Sequence, residues 1–201
     1  MSSFTIRRAA LFDASALAEL AARTFTETFA ADNSPEDLDA HLRSSYGVAR
    51  QTAELEDRDV ITLLAFQGEE LAGFAQVRRK SPPSCVIGER PIELHRFYLT
   101  RPAHGTGLAA PLMLAARAAA HELEGLRMWL GVWERNPRAI AFYIKSGFVV
   151  VGSHVFVVGN DRQTDLVLVS SLSEHVAKKA GGRSNAQGPS LKATAASPEK
   201  P

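Results

Sequence analysis

The sequence predicts a mixed α/β domain, one sheet with helices on both of its faces. Three observations point there. Runs rich in Val, Ile, Leu and Phe alternate with segments whose apolar residues recur at helical spacing. Two β-rich runs flank Gln67-Gly68-Glu69-Glu70 in the manner of an antiparallel hairpin. The order of elements is strand, helices, hairpin, strand, helix, strand, helix, two strands, which is not the regular βα alternation of a doubly wound sheet.

Taken in order, FTIRRA reads as a first strand. Asp13 is placed to cap a helix that carries Leu17, Leu20, Phe25 and Phe29. A short second helix begins at Ser34, with Pro35 at the favoured first position and Glu36 and Asp37 at the positive end of its dipole. A polar third helix covers VARQTAELED and ends before the strand VITLLAF, which opens the hairpin. Two adjacent prolines in SPPSC interrupt the β pattern, since proline cannot serve a central strand. PIELHRFYLT then reads as a strand leading into the turn HGTGLAAPLM.

Beyond that turn, Leu108, Leu112, Ala115, Ala119 and Leu123 mark an alanine-rich helix ending near Gly125. RMWLGVWE is a buried strand. Asn136-Pro137 starts a helix through Lys145, with Gly147 suited to its C-terminal cap. FVVVGSHVFVV and TDLVLVS close the domain around Gly159-Asn160-Asp161. No internal repeat is evident.

Composition narrows the function classes. At 201 residues and 45% hydrophobic, the chain suits one domain, taken here as residues 1–172. Residues 173–201 are rich in Ala, Gly, Ser, Pro and Lys and are expected to form a disordered tail. With 23 basic and 22 acidic side chains, the net charge of +1 gives no pull towards nucleic acid or an anionic membrane. Cys85 is the single cysteine, and no His/Cys cluster has zinc spacing, so no metal is expected. No signal pattern or long apolar run occurs, and the expectation is a cytoplasmic protein, monomeric or homodimeric.

The turn HGTGLAAPLM has the outline of a phosphate cradle, and three designs share that outline. A Walker A loop needs Lys and Ser/Thr after its last glycine, where Leu108 and Ala109 stand. A Rossmann turn fits Gly105, Gly107 and Ala110, but too little chain follows to complete a doubly wound sheet. Pro111 clashes with a helical carbonyl four residues back, so the helix is expected to begin at about Gly107, leaving the amides of Gly105 to Ala110 free for an anion.

The third design is that of a known superfamily. His104, Gly105, Thr106, Gly107, Leu108 and Ala109 resemble the Gln/Arg-x-x-Gly-x-Gly/Ala loop of the GCN5-related N-acetyltransferases (GNAT), and LGVWERNPRAIAFYIKSGF resembles their strand-Asn-helix hallmark. The strings ELHRFYL, WLGVWERNPRAIAFY and VFVVGNDRQTDLVLV are similar to the PaiA-like spermidine/spermine acetyltransferase subgroup. The resemblance covers about residues 3 to 170. It implies a mostly antiparallel, twisted sheet of about seven strands whose fourth and fifth strands splay apart, and acetyl-CoA as co-substrate.

It also implies site residues. The loop from His104 to Ala109 would hold the pyrophosphate, with His104 standing where Gln or Arg is usual. The main chain of Phe97, Tyr98 and Leu99 would bind the pantetheine arm, and Asn136 would contact the coenzyme while capping its helix. Tyr143 would be the general acid and Glu93 the base, eleven positions before His104. His95 shares its face of the strand, so His95 or ordered water competes for that role. Glu27, Asp32, Glu36, Asp37 and Asp39 form a stretch without Lys or Arg that would make an anionic acceptor wall, suited to a small polyamine such as spermidine. The alternatives are transfer to a protein N-terminus or lysine, and a coenzyme-binding regulator without turnover.

Overall fold

The computed structural model describes residues 3–30, 33–158 and 161–172, so the expected tail and the turn residues Gly159 and Asn160 lie outside it, as does Asp32. The chain runs β1 (Phe4–Arg8), a 3-10 turn (Leu11–Asp13), α1 (Ala14–Phe29), α2 (Pro35–Ser45), α3 (Val48–Glu56), β2 (Val60–Gln67) and β3 (Glu70–Arg79). It continues with β4 (Pro91–Leu99), a second 3-10 turn (Arg101–Ala103), α4 (Ala109–Glu122), β5 (Arg127–Trp133), α5 (Pro137–Lys145), β6 (Val149–Val158) and β7 (Asp161–Ser171).

Seven strands form one sheet in the order β1-β2-β3-β4-β5-β7-β6. Every neighbouring pair is antiparallel except β4 and β5. That parallel pair is joined only through Pro91↔Arg127, Ile92↔Met128 and Glu93↔Trp129. After Glu93 the two strands part, so the edge of Leu94–Leu99 that faces β5 has no ladder partner, whereas its other edge stays bonded to β3. A gap thus opens in the middle of the sheet.

Strand alternation distributes the core between two faces. Leu63, Ala65, Ala75, Val77, Met128 and Leu130 pack with Leu108, with Leu112, Ala116 and Ala120 of α4 and with Tyr143 of α5. On the other face, Leu64 and Phe74 pack with Leu17, Leu20 and Phe25 of α1 and with Tyr46. A smaller cluster of Val86, Trp129, Val167 and Val169 extends that second face across β5 and β7.

The helix ends refine three sequence expectations. Ser34 caps α2 by accepting from the Asp37 amide at 3.1 Å, as read. Asp13 does not cap α1 with its side chain; its carboxylate accepts from the Ala10 amide at 2.8 Å and pairs with both Arg7 nitrogens at 2.7 Å. A strong ion pair two elements back outcompetes the local cap. Gly125 is not the left-handed residue that ends α4. Glu124 takes that conformation (φ 58°), while a Cβ on Gly125 would come within 2.8 Å of the Ala120 carbonyl and 2.5 Å of Ile92.

Candidate active site

A cleft of about 990 Å³ follows the gap between β4 and β5 and is bordered by the glycine loop, α5, α1 and the connection from α2 to α3. At the loop, Gly105 and Gly107 have φ of 77° and 95°, and a Cβ at either would meet nothing within 4 Å. These glycines are therefore required by backbone conformation, which a side chain would strain, and they face open space. α4 begins at Ala109, not Gly107, because two left-handed glycines cannot continue into a right-handed helix. Pro111 falls in its first turn, where no amide is missed.

The amides of Gly105, Gly107, Leu108, Ala109 and Ala110 make no hydrogen bond among the described residues. Thr106 departs from the expectation, since its amide is spent on the Ala103 carbonyl at 3.4 Å and its hydroxyl on the same oxygen at 2.8 Å. Five unpaired amides at the positive end of a fourteen-residue helix, opening onto a cleft, fit a diphosphate.

The ring of His104 is held by two partners within the protein. Its Nε2 donates to the Leu99 carbonyl at 3.1 Å, which leaves Nδ1 to accept from Arg138 at 2.9 Å. Both ring nitrogens are used. Burial and then the Arg138 charge hold its pKa below the usual histidine value, so the ring is neutral at neutral pH. Arg138, on the first turn of α5, borders the cleft beside the His104 ring. With Arg101 and Arg135 it lines a smaller adjoining recess of about 500 Å³. The sequence reading missed all three arginines because Arg101 is far along the chain from Arg135 and Arg138, which hides their convergence.

Asn136 accepts from the Ala139 amide at 3.1 Å, capping α5, and borders the cleft. The other end of α5 is closed by Gly147 (φ 87°): the Gly147 amide donates to Ile144 and the Phe148 amide to Tyr143, each at 3.0 Å. This double closure packs Phe148 against Tyr143, with ring centroids 5.8 Å apart. Phe97 and Phe142 border the same phenol at 6.3 and 5.6 Å. Tyr143 is 8% exposed, and its hydroxyl makes no hydrogen bond among the described residues. Burial pushes its pKa well up, so it is a protonated donor with no competing acceptor.

Phe97 and Leu99 pack partly into the α4 face, and Tyr98 stacks on Phe74 at 5.6 Å on the other. Their backbones lie in the unpaired stretch of β4. Glu93 sits at the last paired position and is buried, with Arg78 bonded to its Oε2. Its Oε1 is 3.8 Å from His95 Nδ1. His95 has a pKa held well below the usual range, first by burial and then by Arg96, Arg78, Lys80 and Arg50, so it too is neutral.

Arg96, which the sequence reading did not single out, is 5% exposed and ties α3 to the sheet. It donates to Glu54, to Gln76 Oε1 at 3.0 Å and to the Ser45 carbonyl at 3.1 Å, and lies over the Tyr46 ring at 5.0 Å. Of the acidic stretch, Asp37 bonds the Ser34 hydroxyl, Asp39 pairs with Arg43, and neither they nor Glu36 border the cleft. Glu27 borders only the smaller recess. Outside that stretch, two carboxylates border the cleft: Glu93, and Asp165 on β7 with His154 of β6 beside it. An acid within the strand TDLVLVS was a legible signal, but that run was read only as a closing strand and as part of the family resemblance.

Residues 15–148 match the acetyltransferase (GNAT) family. The chain belongs to that family. Over 160 residues this GNAT protein is 35% identical to an uncharacterised N-acetyltransferase of Mycobacterium tuberculosis, covering 80% of this chain and 98% of that one. A spermidine N(1)-acetyltransferase of Thermoplasma acidophilum is 26% identical over 152 residues, 74% of this chain and 89% of the relative. The crystal structure of PaiA N-acetyltransferase from Thermoplasma acidophilum in complex with coenzyme A superposes with a TM-score of 0.67 at 24% identity, covering 84% of this chain and 99% of that chain. The parted β4 and β5 and the free loop amides are thus features of a GNAT N-acetyltransferase.

Proposed function

We propose that the protein transfers the acetyl group of acetyl-CoA to the primary amine of a small molecule, both bound at once in the cleft. The observation that carries this reading is the coincidence of five unpaired loop amides with a strand pair that parts after Glu93. Acetyl-CoA supplies the activated acyl group. The loop amides and Arg138 hold its diphosphate, and the unladdered edge of β4 around Phe97, Tyr98 and Leu99 offers main-chain groups to the extended arm. Tyr143 protonates the departing sulfur, a role suited to a phenol whose proton is retained at neutral pH and engaged by nothing else.

Glu93 as base has the resemblance behind it, while the Arg78 contact commits one of its oxygens. Polyamine acceptance draws support from the named function of the Thermoplasma relative. The cleft wall carries Arg50 and Arg96 paired with Glu54, Arg78 paired with Glu93, and Lys80 and Asp165, whereas Asp37 and Asp39 do not reach it.

The test is thiol release from acetyl-CoA across monoamines, spermidine, peptides and a no-acceptor control. Release dependent on a small amine supports the reading; release with peptides alone, or none beyond the control, defeats it. Tyr143→Phe should lower kcat by about 100-fold with little change in coenzyme affinity. An unchanged kcat would remove Tyr143 from the chemistry.

A further inference from the structure

The cleft holds a carboxylate that the fold leaves without donors. Asp165 is 9% exposed, and among the described residues its oxygens take no hydrogen bond. Its ionic neighbour is His154, whose Nε2 lies 4.0 Å from Oδ2. Burial raises the Asp165 pKa to about 6 against a smaller lowering by His154. A buried acid without donors is unfavourable until something brings it a positive charge.

Its position indicates what that is. Asp165 pairs with Trp133 across β5 and with His154 across β6. Both side chains close over Gly131, where a Cβ would stand 2.8 Å from His154 Nε2 and 3.0 Å from Asp165 Oδ2. Gly131 lies two residues beyond Trp129, the last residue of β5 joined to β4, so the pair borders the opening between the strands. By alternation Asp165 shares the α1 face with Val167. Tyr143 reaches the same cleft from the α4–α5 side. An acid and a base on opposite faces of one gap flank whatever occupies it.

We propose that Asp165, set beside His154, binds the ammonium form of the acceptor and takes its proton, so that this group rather than Glu93 is the catalytic base. The inference rests on the acetyltransferase reading. An N–H of the ammonium gives its proton to the Asp165 carboxylate. The freed electron pair forms the N–C bond to the acetyl carbon, and the C–S bond breaks with its electrons on sulfur, which takes the Tyr143 proton. The surplus proton on nitrogen returns through water to the Tyr143 oxygen, and Asp165 releases its proton to solvent. One amide, one thiol and one proton result.

The groups facing Asp165 are His154 on β6 and Gly131 and Trp133 on β5, with Gln163 and Val167 as its neighbours along its own face of β7. Wild-type kcat/KM for an amine that is turned over should therefore fall below pH about 6 and stay level from there to the amine's own pKa. Asp165→Asn should cut kcat/KM by about 100-fold or more. It should also abolish the acid limb, leave coenzyme A affinity by calorimetry unchanged and not lower Tm. His154→Gln should move the limb to higher pH, since the influence that lowers the Asp165 pKa is gone.

Asp165→Asn within about threefold of wild type, or a limb that neither substitution moves, overturns the proposal. So does loss of coenzyme binding and Tm together with activity, the mark of a structural role. If Asp165→Asn cannot be purified folded, the limb position in His154→Gln decides alone. Thiol release by the wild type from at least one amine separates these outcomes from failure of the broader reading.

Discussion

His104 shows how one residue changes meaning between sequence and structure. By position it replaces a Gln or Arg of the family loop, which suggests a weaker, pH-dependent phosphate contact. Its ring nitrogens instead bind the Leu99 carbonyl and Arg138, so its contribution passes through the arginine. His104→Ala and Arg138→Ala should each weaken coenzyme A binding by about three- to tenfold, with a double variant no worse than Arg138→Ala alone. Additive losses in calorimetry would mean that His104 touches ligand directly. Because the ring is already neutral at neutral pH, coenzyme affinity should not vary between pH 7 and 8 through this residue. None of this follows from the letters HGTG, as Arg138 is 34 positions away.

At the scale of elements, α4 and α5 are held by end geometry that the sequence announces only in part. The close of α5 at Gly147 was legible, because a glycine after the last helical residue is the usual left-handed terminator and Phe148 supplies the apolar contact to Tyr143. The close of α4 was legible in position but not in the residue that makes the turn. The helix was placed as ending near Gly125, but the left-handed conformation belongs to Glu124, and the glycine is needed because Ile92 and the Ala120 carbonyl press on it. Glu124→Gly should therefore stabilise the fold by about 1 kcal/mol, its exposed contact with Arg79 at 3.6 Å being worth little. Gly125→Ala should destabilise it by about 1–3 kcal/mol through overpacking. Thermal denaturation of the two variants checks both signs, and equal effects would contradict the division of roles.

For the whole molecule, carboxylates pull stability in opposite directions with pH. Asp13, held by Arg7, and Glu54, held by Arg96, have lowered pKa values, so the stability they add is present above the usual carboxylate range and is lost as pH falls through their folded values. Asp165 is the reverse. Its folded pKa of about 6 exceeds the unfolded value of 3.8, so the native state binds more protons and stability falls as pH rises between them. That fall is on the order of 2–3 kcal/mol. Chemical denaturation should show it in the wild type and a flatter profile between pH 4 and 6 in Asp165→Asn, so a parallel decline in both would reject the assignment. The order of elements, the glycine loop and the Asn136 cap were all determined by the sequence alone, because each is a local pattern of spacing, capping or backbone freedom. Only the tertiary structure decided that the acidic stretch around Asp37 stays away from the cleft, that Arg138 stands behind His104, and that Asp165 meets His154 over Gly131. Those are contacts between distant segments, and they are set by strand register and the parting of β4 from β5, which no neighbouring residues encode.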